Sequence, residues 1–190
     1  MRVGGIVLAA GEGRRFAGSG GTGPKQRASA GGVPLVVTVV EAALDGGLDG
    51  VVVVQGAADL TDLVPAEVTV LVNPRWAEGL ATSLQVGIAH ARSAGLEAVV
   101  VGLADQPGVT AVAWRAVASA PHDLPIAVAT YDGRRANPVR LSEAVWSLLP
   151  AVGDEGARGL MRGRPELVRE VPCTGDPHDV DILEDLDRWS

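Results

Sequence analysis

Val51-Val52-Val53-Val54 and its companion Val99-Val100-Val101 are unbroken β-branched runs without the apolar-polar alternation of a half-exposed strand. A strand apolar at successive positions must be covered on both faces, the condition of an interior strand in a parallel sheet wrapped by helices. Outward from these two runs, short β-branched segments alternate with longer Ala-rich amphipathic stretches, as helical crossovers require. The fold class is therefore α/β. Strands are expected at 3–8, 51–55, 68–72, 98–103, 126–130, 137–141 and 167–171, and helices at 34–45, 59–64, 79–94, 110–119, 142–149, 154–162 and 183–189. Pro34 and Pro150 bracket helices, because proline is tolerated in a first turn and disfavoured inside. A length of 190 residues suits one domain, so a single domain over 1–190 is expected. With 47% apolar residues but only 3% aromatic and 25 glycines, its core is built from Val, Ala and Leu among many tight turns.

Composition excludes several classes. The single cysteine, Cys173, can form neither an internal disulfide nor a multi-thiolate zinc site. The apolar run Ile6 to Ala10 is too brief for a signal-peptide core or a membrane span, so a cytoplasmic protein without a membrane partner is expected. A net charge of −7 argues against nucleic acid as a partner. The charge is nevertheless uneven. Through residue 35, Arg2, Arg14, Arg15, Lys25 and Arg27 face Glu12 alone, a local balance of +4 against −11 for the remainder. A small polyanion held by near contacts fits this better than a long anionic polymer.

Four stretches carry chemistry. Leu8-Ala9-Ala10-Gly11-Glu12-Gly13-Arg14-Arg15-Phe16 runs from an apolar strand into glycines and arginines, so that backbone N–H groups can approach a phosphate while Arg adds charge-assisted bonds; the plain alternative is a turn with exposed Arg. Position 16 is Phe where a dinucleotide fingerprint has glycine, and Lys25 lies between Pro24 and Gln26 rather than in a Gly-Lys-Ser/Thr P-loop. Lys25 is the only lysine among 16 basic residues, read as a compact phosphate-contacting charge or else as a lone surface lysine. Asp105 ends a buried strand, where open α/β sheets gather their ligands, and is read as a magnesium ligand or as an N-cap for a helix near Val109. In Asp179-Val180-Asp181 alternation puts both acids on one side, to complete the metal site or to form a solvated acidic face. Gly18 to Gly23 is expected to be a mobile loop acting as a lid or cradle. A stretch from Asp132-Gly133-Arg134-Arg135 onward, with Arg140, Arg158, Arg162, Arg164 and Arg169, suggests a subregion for a second substrate.

Together these residues resemble the MobA/MocA-like nucleotidyltransferases that build molybdenum cofactor dinucleotides. Seven ordered motifs carry the resemblance: Leu8-Ala9-Ala10-Gly11-x-Gly13-x-Arg15, Ser19-Gly20-Gly21 leading to Lys25, Asn73-Pro74-x-Trp76-x-x-Gly79-x-x-x-Ser83-Leu84, Asp105-Gln106-Pro107, Asn137-Pro138-Val139, Gly153-Asp154-x-Gly156-Ala157-Arg158 and Asp179-Val180-Asp181. The resemblance implies a three-layer α/β/α sandwich with a Rossmann-like, mostly parallel sheet of the nucleotide-diphospho-sugar transferase type. It implies nucleotide binding by Leu8, Ala9, Ala10, Gly11, Gly13, Arg15, Lys25, Asn73, Gly79, Ser83 and Asp105, with Arg15, Lys25 and Asp105 catalytic. Asp105, Asp181 and Asp179 would hold Mg²⁺, and Asn137, Asp154 and Arg158 would meet the acceptor. Leu-Ala-Ala-Gly is similar to the cytosine or more relaxed form of the loop and Leu-Ala-Gly-Gly to the guanine form, so CTP is the expected donor and GTP the other option.

The implied reaction moves a nucleoside monophosphate to a phosphorylated, molybdopterin-type acceptor with loss of pyrophosphate, in a monomer or homodimer. Here Phe16-Ala17 stands where the family often has Met-Gly, and Ile182-Leu183 where it has Thr-Pro. Pro24-Lys25-Gln26 is also similar to sugar-alcohol-phosphate cytidylyltransferases. A non-catalytic nucleotide or cofactor-binding maturation protein is a further alternative, whereas a dinucleotide oxidoreductase is disfavoured by the missing third glycine. His90, His122 and His178 lie outside the motifs, and Trp76, Trp114, Trp146 and Trp189 are read as packing residues, with stacking on a ligand ring the alternative. Loss of either Lys25 or Asp105 is expected to cost orders of magnitude in turnover and leave the melting temperature nearly unchanged.

Overall fold

A computed structural model describes residues 1–189. In chain order the elements are β1 (Val3–Ala9), α1 (Arg14–Gly18), β2 (Ser29–Ala30), β3 (Val33–Pro34), α2 (Leu35–Leu44), β4 (Val51–Gln55), β5 (Thr69–Val72), α3 (Leu80–Ser93), β6 (Ala98–Leu103), α4 (Ala111–Ala118), β7 (Ile126–Tyr131), β8 (Arg134–Ser142), α5 (Glu143–Trp146), α6 (Arg158–Gly163) and β9 (Val168–Pro172). Seven strands form one sheet in the order β5-β4-β1-β6-β8-β7-β9. The pairs β5·β4, β4·β1, β1·β6 and β7·β9 are parallel, and β8 alone runs antiparallel to both its neighbours.

The valine runs do what two-sided burial demands. Val51 and Val53 point into one apolar layer with Val36, Val39 and Val40 of α2 and Trp114 and Val117 of α4. Val52 and Val54 point into the opposite layer, with Leu84 and Ile88 of α3, Trp146 of α5 and Met161 of α6. The sheet is thus the middle of a three-layer α/β/α sandwich, the architecture expected from the sequence. No described helix is long and apolar enough to cross a membrane.

The strand positions agree with the sequence reading; the departures have local causes. The β7–β8 connection is the two-residue turn Asp132-Gly133, both at positive φ (50° and 74°), which suits a hairpin and reverses the chain into the one antiparallel strand. No helix forms at 59–64. There the Asp59 carboxylate accepts from the Thr61 N–H and hydroxyl, at 3.0 and 2.7 Å, and the Leu60 N–H donates to Gln55 Oε1, so side chains take the backbone groups that a helix would use. The segment expected as helix 183–189 is 3-10 (Leu183–Trp189), and α5 and α6 are shorter than read. Gly18 to Gly23 is tied down rather than hanging free: the Ser19 hydroxyl donates to Phe16 O and accepts from the Leu183 N–H, at 2.9 and 2.8 Å. Phe16 joins Leu35 and Val180 in a small apolar cluster, so this ring anchors the first loop to the tail.

Arg140 is the main surprise among the arginines. Its side chain is not offered to a substrate but sits 1% exposed beneath the end of α4. The guanidinium donates to the carbonyls of Ala118, Ala120 and Pro121, the free acceptors that a helix C-terminus leaves behind.

Candidate active site

The C-terminal ends of β1 and β6 lie side by side, because Leu8 pairs with Leu103, and each strand runs straight into a polar loop. After β1 the chain turns at Gly13, whose φ of +71° caps α1 in a left-handed conformation. A Cβ there would lie 2.9 Å from Lys25 Cβ, so the glycine also lets the loop close onto the lysine. Gly13→Ala is expected to cost about 1–2 kcal/mol of stability, read as a lower melting temperature, and to displace Lys25, read as weaker triphosphate binding.

Lys25 sits on a 3-10 turn (Lys25–Arg27) and is only 10% exposed. Its ammonium donates to Asp105 Oδ2 at 2.7 Å and lies 3.5 Å from Asp181 Oδ1, while Arg15 pairs with Asp181 Oδ2 at 2.7 Å. The amine of residue 25 and the carboxylate of residue 105 therefore open onto one cleft. Two cations and two acids are interleaved there, each neutralising the other. Asp105 is 20% exposed, and its Oδ1 is buried with no hydrogen-bond partner.

The tail reaches this point by backbone pairing, since the Val180 N–H donates to Asp105 O at 2.8 Å and the Asp176 N–H to Gly108 O at 3.0 Å. Val180 is fully buried between the two acids, as the alternating reading requires. Residue 179 as a whole is exposed, yet its carboxyl end is set down among packed groups. That loss of hydration, followed by the charge of Asp105, raises its pKa above the ordinary aspartate range. Where Thr-Pro would start the last segment, the Asp185 carboxylate accepts from the N–H groups of Asp181 and Ile182, at 2.7 and 3.0 Å.

The cleft has a volume of about 490 Å³, and of the expected nucleotide residues Leu8, Ala9, Ala10, Gly11, Gly13, Arg15, Lys25, Gly79, Ser83 and Asp105 line it. Asn73 does not. It is buried beneath the first turn of α3, where its amide donates to Thr82 Oγ1 and Ser83 Oγ, both at 2.9 Å, and so it fixes the helix start that presents Ser83. Asp154, expected beside the acceptor, lines this same cleft. Its Oδ1 accepts from the Leu80 N–H at 3.3 Å, and Gly79 (φ +109°) leaves it room, since a Cβ would come within 2.8 Å of that oxygen. Asn137 and Arg158 line a second cavity instead.

Three contributors fall outside the expected site residues. Trp76, read as packing, is half-buried and lines the cleft. Gln26 donates to Gly11 O at 2.7 Å and holds a buried, unpartnered Oε1. Gln106 accepts from Asn137 Nδ2 and donates to Pro177 O, both at 2.9 Å, and so ties the second cavity to the acidic tail. Each stands beside or inside a quoted motif, which is the only signal the sequence carries for it.

A family model of the MobA-like NTP transferase domain matches residues 5–171. The chain belongs to that family. Among solved structures, this MobA-like domain is similar to a homologue of Mycobacterium tuberculosis Rv0371c from Mycobacterium sp. strain JC1, with 29% identity, a TM-score of 0.83 and coverage of 99% of this chain and 96% of that one. It is also similar to Rv0371c of M. tuberculosis H37Rv in complex with manganese, with 26% identity, a TM-score of 0.79 and coverage of 100% and 98%. A nucleotidyl transferase from Methanothermobacter (Mth528) shares the fold at 21% identity and a TM-score of 0.83, over 98% of this chain and 95% of that one. No curated protein matches the sequence.

Nucleotidyltransferases of the MobA-like kind use divalent metals, and the residues present suit one. Asp105 Oδ1 is a buried carboxylate oxygen without a partner, the donor type that a hard dication takes. Among the described residues no group of three or more His, Cys, Asp or Glu is gathered closely enough to enclose an ion. The expected trio Asp105, Asp181 and Asp179 is therefore not gathered as one closed site; a dication can also be held by one or two carboxylates, with phosphate oxygens and water completing its shell.

Proposed function

We propose that the protein transfers a nucleoside monophosphate from CTP to a phosphorylated acceptor of molybdopterin type, releasing pyrophosphate. The observation that carries the reading is the interleaved set Lys25, Asp105, Asp181 and Arg15 at the mouth of the glycine loop. This set holds matched cations and anions ready to exchange internal partners for a triphosphate and a dication. Asp105 and Asp181, with Asp179 beside them, are the ligands for the ion, taken as Mg²⁺. The bound ion supplies charge neutralisation and polarisation at the reacting phosphate.

Lys25 and Arg15 then turn to the phosphate oxygens. An oxygen of the acceptor phosphate attacks the α-phosphorus, and the bond to the β-phosphate oxygen breaks with its electron pair leaving on pyrophosphate. The acceptor is already anionic near neutral pH, so the chain needs no general base, and positioning with charge compensation supplies the rate. The Leu8-Ala9-Ala10-Gly11 form of the loop, by its resemblance to the cytosine form, supports CTP over GTP.

Thermal shift with the four triphosphates, each with and without Mg²⁺, checks the reading. CTP with metal at about a hundred times its dissociation constant is expected to add about 2.7 kcal/mol, a rise of roughly 5–10 °C for a chain of this size. A larger shift with GTP reverses the base assignment, and no shift with any triphosphate overturns the reading.

A further inference from the structure

Residues 176–189 form a strap that touches both loops of the nucleotide cleft. To the loop after β6 it is fixed by backbone groups: the Asp176 N–H donates to Gly108 O and the Val180 N–H to Asp105 O, while Gln106 Nε2 donates to Pro177 O at 2.9 Å. The first loop meets the same strap. There the Leu183 N–H donates to Ser19 Oγ at 2.8 Å, Arg15 pairs with Asp181 at 2.7 Å, and Val180 is buried with Phe16.

The strap then folds back on itself. Arg188 Nε lies 3.5 Å from Asp176 Oδ2, which returns the 3-10 turn Leu183–Trp189 to where the strap begins and lays the Trp189 ring on Gly108. A Cβ at position 108 would come within 2.3 Å of Trp189 Cη2 and 2.5 Å of Asp176 O, so the glycine is what gives the indole its seat. The same ring packs against the cluster of Phe16, Leu35 and Val180. Trp114 and Trp146 are sunk in the two main apolar layers, fully buried. Trp189 belongs to neither layer and instead joins the loop of Asp105 to the anchor of the first loop.

We infer that Trp189 is a positioning residue: it pins the strap so that Asp105 on one loop and Arg15 on the other keep the spacing that a metal-bound triphosphate needs. This rests on the nucleotidyl-transfer reading and adds a residue that stands in none of the seven motifs. Groups that act together on one ligand must be held to within about 0.5 Å, and side chains carried on loops reach that precision only when the loops themselves are braced.

Isothermal titration of CTP with Mg²⁺ into the full chain, paired with amide hydrogen exchange, tests it. Trp189→Ala is expected to weaken binding by about tenfold, within the range by which residues that touch no ligand modulate a site, and to speed exchange at residues 15–20 and 105–109 together while β1 and β6 stay protected. Trp189→Phe keeps a ring on the glycine and should retain most of the affinity. Gly108→Ala, which displaces the indole without altering it, should reproduce the loss. Arg140→Met is the control for stability alone, since it weakens the fold at the end of α4 and should bind CTP as the wild type does. Wild-type affinity in Trp189→Ala, exchange that rises only within 176–189, or an equal loss of affinity in Arg140→Met overturns the proposal. A wild-type chain that binds no triphosphate removes the nucleotidyl-transfer reading along with it, whereas equal binding by wild type and Trp189→Ala removes the positioning role alone.

Discussion

Asp105→Asn is expected to lower turnover by about a thousandfold, because on the proposed reading it removes the charge that would hold the dication while preserving the shape of the side chain. Lys25→Met is expected to match that loss. The two variants should differ in stability, and here the structure revises the expectation of an unchanged melting temperature. Lys25 and Asp105 form a pair at 2.7 Å that is largely withdrawn from water, and breaking such a pair strands its partner. When Asp105 is neutralised, Lys25 keeps Asp181 at 3.5 Å; when Lys25 is removed, Asp105 is left with acids for neighbours. Lys25→Met should therefore cost about 2–4 kcal/mol and Asp105→Asn less. The double variant should recover part of the difference, read as a coupling in chemical denaturation. Equal melting temperatures for wild type and both single variants would mean that the pair does not form in solution, and near-normal turnover in both would remove the catalytic assignment.

The second large effect lies outside the cleft. Arg140→Met is expected to lose about 3 kcal/mol, a fall in melting temperature of roughly 6–12 °C, because three carbonyls at the end of α4 lose their donor. Burial and the like charge of Arg169 already hold this guanidinium below its usual pKa, yet its carbonyl partners and the end of the helix dipole retain it as a cation. Arg140→Lys should recover about half, since one ammonium cannot span a fork of acceptors. Turnover per folded molecule should be unchanged in both. A loss of activity at constant stability would return Arg140 to a substrate role.

What could be read from the sequence divides along a physical line. Two-sided burial leaves a run of valines whatever lies on either face, so the strands were visible; the order of strands was not, because nothing in Val99-Val100-Val101 says that the antiparallel strand from Arg134 will lie beside it. The reversal itself was written in Asp132-Gly133, a hairpin signal that was taken for a change of composition. No helix forms at 59–64 because backbone hydrogen bonds donated to the Asp59 and Gln55 side chains outweigh a weak propensity. In the site, Lys25, Asp105 and Asp181 were legible as charges out of place in a Gly-rich or apolar setting. Asn73 supports the start of α3 instead of lining the cleft, within the spacing of its own motif, whereas Asp154 reaches the cleft through a contact with Leu80 that no local spacing encodes.

A chain whose basic residues are arginine at every place but one has a practical consequence. To an acylating reagent the protein offers just two aliphatic amines, the N-terminal one and a nitrogen held beneath Asp105. Whole-molecule mass spectrometry would then count modification of the cleft one adduct at a time, and protection of that adduct would register occupancy without a reporter group.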